Sequence, residues 1–185
     1  EGFMTREYLV QRLGELTREA VELTTFQVKT QYGYLSCDDT DGLFDVLIAA
    51  YLINPLKNDY GIEDIANEHL GLMIRGRSQL LEKLSLKQAL LERPEAFCEY
   101  AGFAVYVMLE ARQVLEEKLV HMGMKELFDG VEMPLTRVLY DMELEGVRVR
   151  PEELKEYGDA LVERIEELER SIHEKAGEDF NINSP

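Results

Sequence analysis

The period of apolar and polar positions changes several times along the chain, and each change marks an element. Over residues 4–16, MTREYLVQRLGEL, Tyr8, Leu9, Leu13 and Leu16 recur at helical spacing behind Thr5, a natural N-cap, so an amphipathic helix is predicted. AVELT (20–24) reads as a short strand, and FQVKTQYGYL (26–35) fits either a helix or a bent strand. SCDDTDG (36–42) is rich in turn formers and reads as a loop. LFDVLIAAYLINP (43–55) is apolar on nearly every side, which predicts a buried helix covered on nearly every side and ended by Asn54 and Pro55. After a loop at 56–61, IEDIANEHLG (62–71) reads as a short helix stopped by Gly71. Residues 76–93 hold one or two helices. Pro94 takes the favoured first position of the next helix, which runs to about Met122. That helix contains YAGFAVYVML (100–109), ten residues without a charge and therefore expected to be buried.

In MKELFDGVEMPLTRVLYDMELEG, Pro134 stands where a helix can start and Gly146 where it can stop, and VRV (147–149) reads as a single short strand. Pro151 opens the last helix and Gly177 closes it. Leu154, Leu161 and Leu168 fall in one heptad column and Ile165 and Ile172 in the other, a 3.5-residue repeat that makes a packing surface rather than a cofactor site. At about 1.5 Å per residue this helix is on the order of 40 Å long.

Composition narrows the class. A length of 185 residues suits one domain, or one and part of another. The chain is 45% hydrophobic and 31% charged, enough for a core and too apolar for disorder. No run of apolar residues is long enough to span a membrane, and EGFMTREYLV lacks the pattern of a signal peptide. Cys37 and Cys98, 61 positions apart and outside any CxxC, read as reduced thiols and so favour a cytoplasmic protein. His69, His121 and His173 lack metal-ligand spacing, and Asp38, Asp39 and Asp41 read as solvated turn residues. The net charge of −17 opposes binding to phosphate, which needs clustered Lys and Arg. With no internal repeat, Gly-rich phosphate loop or Ser/His/Asp arrangement, the residues alone give a mostly helical, acidic protein with one long coiled-coil helix.

Three stretches go further. LFDVLIAAYLINP followed by YGIEDIANEHLG, then VEMPLTRVLYDMELEGVRV, then AGEDFNINSP resemble, in order and spacing, the family A DNA polymerases of bacteria. The resemblance implies an α/β fold of ribonuclease-H-like type with an incomplete sheet, predominantly α-helical in this chain. Residues 1–125 would be the C-terminal half of a 3′–5′ exonuclease-like domain. Residues 126–185 would be the start of the polymerase thumb, with a long C-terminal thumb helix. It also implies that the early strands of the sheet precede residue 1 and that the palm and fingers follow Pro185.

In that family a working exonuclease holds two divalent metals with four carboxylates, a clamp for both oxygens of a phosphodiester exchange. The family's Asn-xxx-Asp pattern falls here on Gln27 and Gln31, and its Tyr-xxx-Asp pattern on Tyr100 and Ala104. Glutamine and alanine cannot neutralise a metal pair, so the resemblance implies a vestigial exonuclease part serving as scaffold, with YAGFAVYVML filling the former site. Asp45 also matches a family position and reads as structural. Asn181, Asn183 and Ser184 in FNINSP match the approach to the thumb tip and are candidate DNA contacts.

The implied parent is a DNA-directed DNA polymerase, a nucleotidyltransferase of replication and repair that uses Mg2+; no cofactor is expected for the fragment itself. DNA would be the parent's partner, with weak binding by the fragment, no membrane, and a homodimer through Leu161, Ile165, Leu168 and Ile172. Two other readings stay open. One is an active metal-dependent proofreading exonuclease, if Gln31 and Ala104 are misaligned; the other is a non-enzymatic helical interaction protein using its last helix.

Overall fold

The computed structural model describes residues 4–19, 22–35, 37, 40–57 and 59–182. Helix α1, Arg6–Arg18, begins where the Thr5 hydroxyl accepts a hydrogen bond from the Tyr8 amide at 3.2 Å. Strands β1, Leu23–Thr25, and β2, Leu43–Asp45, pair in parallel with Leu23 opposite Leu43 and Thr25 opposite Asp45. They form a small two-stranded sheet among the described residues. The strand predicted at 20–24 is thus displaced toward the C-terminus, and residues 20 and 21 lie outside the described residues.

The single buried helix predicted over 43–55 is two elements. LFD is β2, and α2, Val46–Ile53, follows it directly. Asp45 is extended, and its carboxylate accepts from the Leu47 and Ile48 amides at 3.0 and 3.1 Å, which ends the strand and caps the helix. Asp45, the one charged residue in the run, marks the switch as an N-cap, but the apolar residues on either side do not, because a buried strand and a buried helix look alike. Nor is α2 covered all round: Val46, Ala49, Ala50 and Leu52 are buried while Tyr51 is exposed. Residues 26–35 are neither long helix nor strand but a 3-10 turn, Val28–Thr30, followed by turns.

Downstream, α3 spans Ile62–Leu70 and stops at Gly71, whose φ of 67° is left-handed. Residues 76–93 resolve into α4, Arg77–Leu81, and α5, Leu86–Glu92; α6 follows over Pro94–His121. Then α7, Lys125–Leu127, a π-helical turn, Phe128–Glu132, and α8, Met133–Glu145, run on without a break. Pro134 therefore does not start the helix. It sits two residues past the π turn, where the widened register leaves room for a residue with no N–H to donate. Residues 147–149 are not a strand: VRV has no regular structure, because a strand needs a hydrogen-bonded neighbour and none is supplied among the described residues.

Helix α6 is the axis of the core. Val107, Ala111, Leu115 and Leu119 recur every four residues, are fully buried, and share one cluster with buried residues of α2, α3 and the sheet. A second, smaller core joins Leu80, Leu81 and Ala89 to Phe97, Tyr100 and Phe103. Within YAGFAVYVML only Val107 is buried; Val105, Tyr106 and Leu109 are 62%, 50% and 66% exposed. The expectation of a buried helix is corrected accordingly. Absence of charge records that both faces are apolar, but neighbours cover one face alone.

The chain divides into two compact units, Glu1–Leu144 and Glu145–Pro185. The second is built on α9, Pro151–Ala176, closed by Gly177 with φ 76°. No residue of α9 is buried, and Leu154, Leu161, Ile165, Leu168 and Ile172 are all exposed. The architecture is therefore mostly helical with one small open sheet. Cys37 and Cys98 are both thiols, and among the described residues no helix is long and apolar enough to cross a membrane.

Candidate functional site

The region that carries the exonuclease-like positions is organised by Asp45. Its buried carboxylate accepts four hydrogen bonds, from the Leu47 and Ile48 amides, the Val28 amide at 2.6 Å and the Thr25 hydroxyl at 3.1 Å. One side chain therefore joins β1, the 3-10 turn and the start of α2. Burial raises its pKa, and the four donors work against that rise. All the capacity of this carboxylate is turned inward, which is the structural role read from the sequence.

The turn held by Asp45 carries two of the four positions. Gln27 is exposed, with φ 59°, a left-handed conformation that is uncommon for a residue with a side chain. It borders a cavity of about 390 Å3 whose apolar walls are Val28, Leu47, Ile48, Leu135 and Leu139. Gln31 faces a different cavity, of about 300 Å3, formed with Leu9, Leu13, Leu23 and Tyr34. Its amide nitrogen donates to the Phe26 carbonyl at 2.7 Å, so the group standing at an acid's position is spent on the local turn. Tyr100 packs on the small core of Leu80, Leu81 and Ala89, and Ala104 on the main core. Gln27 and Gln31 thus flank one 3-10 turn, and Tyr100 and Ala104 stand one helical turn apart on α6.

The donors of this region do not suit a metal pair. Gln27 and Gln31 offer neutral amides, Ala104 offers nothing, and Asp45 is saturated by its four donors. Among the described residues no group of three or more His, Cys, Asp and Glu side chains is placed to hold a metal ion. Asp41 is exposed, while Asp38 and Asp39 lie outside the described residues. Of the candidate DNA contacts, Asn181 is exposed, and Asn183 and Ser184 lie outside the described residues.

Pattern reading missed the bonds that fasten α8 to this turn. The Tyr32 and Thr136 hydroxyls are 2.6 Å apart, and burial raises the Tyr32 pKa. Arg137 stacks over the rings of Tyr32 and Tyr140 and donates to the Cys37 carbonyl at 2.9 Å, and Lys29 pairs with Glu143. These partners are about a hundred positions apart, so no periodicity in one sequence can join them. A second polar contact ties α3 to α6: the Lys118 ammonium lies 2.9 Å from His69 Nδ1.

Comparison with known proteins identifies the chain more sharply than the site does. The DNA polymerase I of Bacillus subtilis is 36% identical over 142 residues, 77% of this chain. The chain is homologous to a segment of bacterial DNA polymerase I. The DNA polymerase I of Streptococcus pneumoniae strain TIGR4 is 35% identical over 147 residues, again 77% of the chain. That of Lactococcus lactis strain IL1403 is 29% identical over 189 residues and covers the whole chain. The chain spans only 16–21% of the length of these polymerase I relatives. No family model matches it.

Proposed function

We propose that this chain is part of a DNA-directed DNA polymerase acting in replication and repair, and that its exonuclease-like half is a scaffold without nuclease activity. The observation that carries the first part is the identity to polymerase I along three quarters or more of the chain. In this reading residues 1–125 belong to a ribonuclease-H-like exonuclease domain, with the parallel pair β1–β2 as a remnant of its sheet, and 126–185 begin the thumb. DNA and Mg2+ belong to the parent enzyme, and the location is cytoplasmic. What supports the second part is the chemistry of four positions. A two-metal reaction needs carboxylates to hold its cations, and Gln27, Gln31, Tyr100 and Ala104 supply none. Digestion of a 3′-labelled single strand with Mg2+ or Mn2+ tests it. No product is expected, whereas product that scales with protein and vanishes in chelator overturns the scaffold reading in favour of an active exonuclease.

The same reading gives weak DNA binding and a self-associating thumb helix. Helix α9 carries nine acids and four bases, a net charge of −5, so it offers phosphate no basic face. Its exposed stripe, Leu161, Ile165, Leu168 and Ile172, suits a second copy packed antiparallel about a two-fold axis. Sub-micromolar binding to duplex DNA at physiological salt contradicts the first. For the second, sedimentation at tens of micromolar is expected to give a dimer that an Ile165→Glu, Leu168→Glu variant abolishes.

A further inference from the structure

The acidity of the chain is not uniform. Residues 75–93 hold five bases, Arg75, Arg77, Lys83, Lys87 and Arg93, against two acids, Glu82 and Glu92, a net of +3. The remainder therefore carries −17 − 3 = −20. Two of these bases are consumed, Arg75 by Glu99 and Arg93 by Glu82. Lys83 and Lys87 are exposed and have no acidic partner among the described residues.

The same segment exposes apolar surface. Helix α5 buries Ala89 in the small core. At about 100° per residue, Leu86, Leu90, Lys87 and Leu91 then follow one another within an arc of about 140°. The three leucines are 49%, 45% and 72% exposed. The helix is held firmly: Ser85 and Gln88 cap each other reciprocally, with the Ser85 amide donating to Gln88 Oε1 at 3.1 Å and the Gln88 amide to Ser85 Oγ at 3.3 Å. Three leucines on two turns of fixed helix, with the unpaired Lys87 between Leu90 and Leu91 in the same arc and Lys83 three positions before the helix, make a surface that is apolar and cationic together.

We propose that this face of α5 is a docking site for an acidic amphipathic helix of another protein. An apolar ridge on that helix covers Leu86, Leu90 and Leu91, and its carboxylates meet the ammonium groups of Lys87, which reaches out from among the leucines, and of Lys83 just before the helix. Nucleic acid fits less well, because leucine neither stacks on bases nor pairs with phosphate, and two lysines neutralise few phosphates. An anionic bilayer fits less well, because its extended charged surface faces the −20 of the rest of the chain as well as the two lysines, whereas a single helix lies on this face alone and is screened from the remainder by salt.

The test uses the whole chain and a fluorescein-labelled peptide of about five helical turns, with leucine at i, i+3, i+4 and i+7 and glutamate on the flanks. Anisotropy is expected to report a Kd on the order of tens of micromolar, as suits so small a patch. The same peptide with lysine flanks is expected not to bind. Lys83→Glu with Lys87→Glu, and separately Leu86→Ser with Leu91→Ser, are each expected to weaken binding at least about tenfold, with circular dichroism unchanged. Leu91→Ser alone, at the most exposed of the three leucines, is the fallback should the double leucine variant misfold, and it is expected to weaken binding in the same direction. Equal binding of acidic and basic peptides, or variants that are folded and bind as before, overturns the proposal. So does tight binding of a labelled single strand of DNA that depends on Lys83 and Lys87 but not on the leucines, which would make the ligand nucleic acid.

Discussion

Asp45 shows how much one side chain can determine. Replacing it by alanine removes the cap of α2 and leaves the buried Val28 amide without its acceptor. A lost cap costs about 0.5–2 kcal/mol and an unsatisfied buried donor about 1–3 kcal/mol, so Asp45→Ala is expected to destabilise the first unit by roughly 2–4 kcal/mol in urea denaturation. Asparagine keeps the cap through its carbonyl but turns an N–H toward the Val28 donor, so Asp45→Asn should fall between alanine and wild type.

His69 governs a pH response. Its pKa is depressed by burial first and by the neighbouring Lys118 charge second. The unfolded chain, with an ordinary histidine pKa near 6.5, therefore takes up a proton that the folded chain resists. Stability is full above that value and is lost as pH falls from about 6.5 toward the depressed folded pKa. Acidification also relieves the repulsion of a highly acidic chain, which acts in the opposite direction. The decisive quantity is thus the difference between wild type and His69→Gln: the urea midpoint of wild type should fall further between pH 7.5 and 5.5. Equal falls would mean that neither burial nor the Lys118 charge disfavours the protonated ring in the folded chain.

At the scale of elements, boundaries marked by a chemical signal were legible and those marked by packing were not. Thr5, Gly71, Pro94, Pro151 and Gly177 each stand where the sequence placed them, because capping and left-handed φ are local requirements. The junction of β2 with α2 carried a local signal in the capping Asp45, but that LFD before it is a strand depends on its pairing with β1, and the continuous path from α7 into α8 depends on packing. Helix α9 starts at Pro151 without a side-chain cap, and Arg150 instead pairs with Glu153 on the surface. Arg150→Asp supplies a cap and removes a positive charge from the positive end of the helix dipole, a gain of about 0.5–2 kcal/mol less a small surface pair. Higher helicity of α9 and a higher melting temperature are expected; no change would mean that the helix end frays beyond the reach of a cap. Gly71→Ala, at φ 67°, should cost about 1–2 kcal/mol through the strain of a side chain in left-handed backbone.

For the whole molecule, two units with different internal support should not behave alike. The first has an extended core around α6, whereas α9 buries no residue. Amide exchange is expected to be slowest in the buried row from Val107 to Leu119 and fast along α9 at low protein concentration. Protection of α9 should rise with concentration if copies pair through Leu161, Ile165, Leu168 and Ile172. Protection that is high and independent of concentration would argue against that pairing.

The sequence by itself determined the helical content, most helix ends, the amphipathic stripe of α9 and the homology to polymerase I, because each is written in local chemistry or in residue order. It also placed neutral residues where the family has acids, and it gave Asp45 its structural role. Only tertiary structure decided that LFD is a strand, that YAGFAVYVML is covered on one face only, and that Tyr32 and Arg137 bind α8 to the turn. Apolarity and periodicity state what a segment can bury; which neighbour arrives to bury it is a long-range fact, set by the packing of elements up to a hundred residues apart.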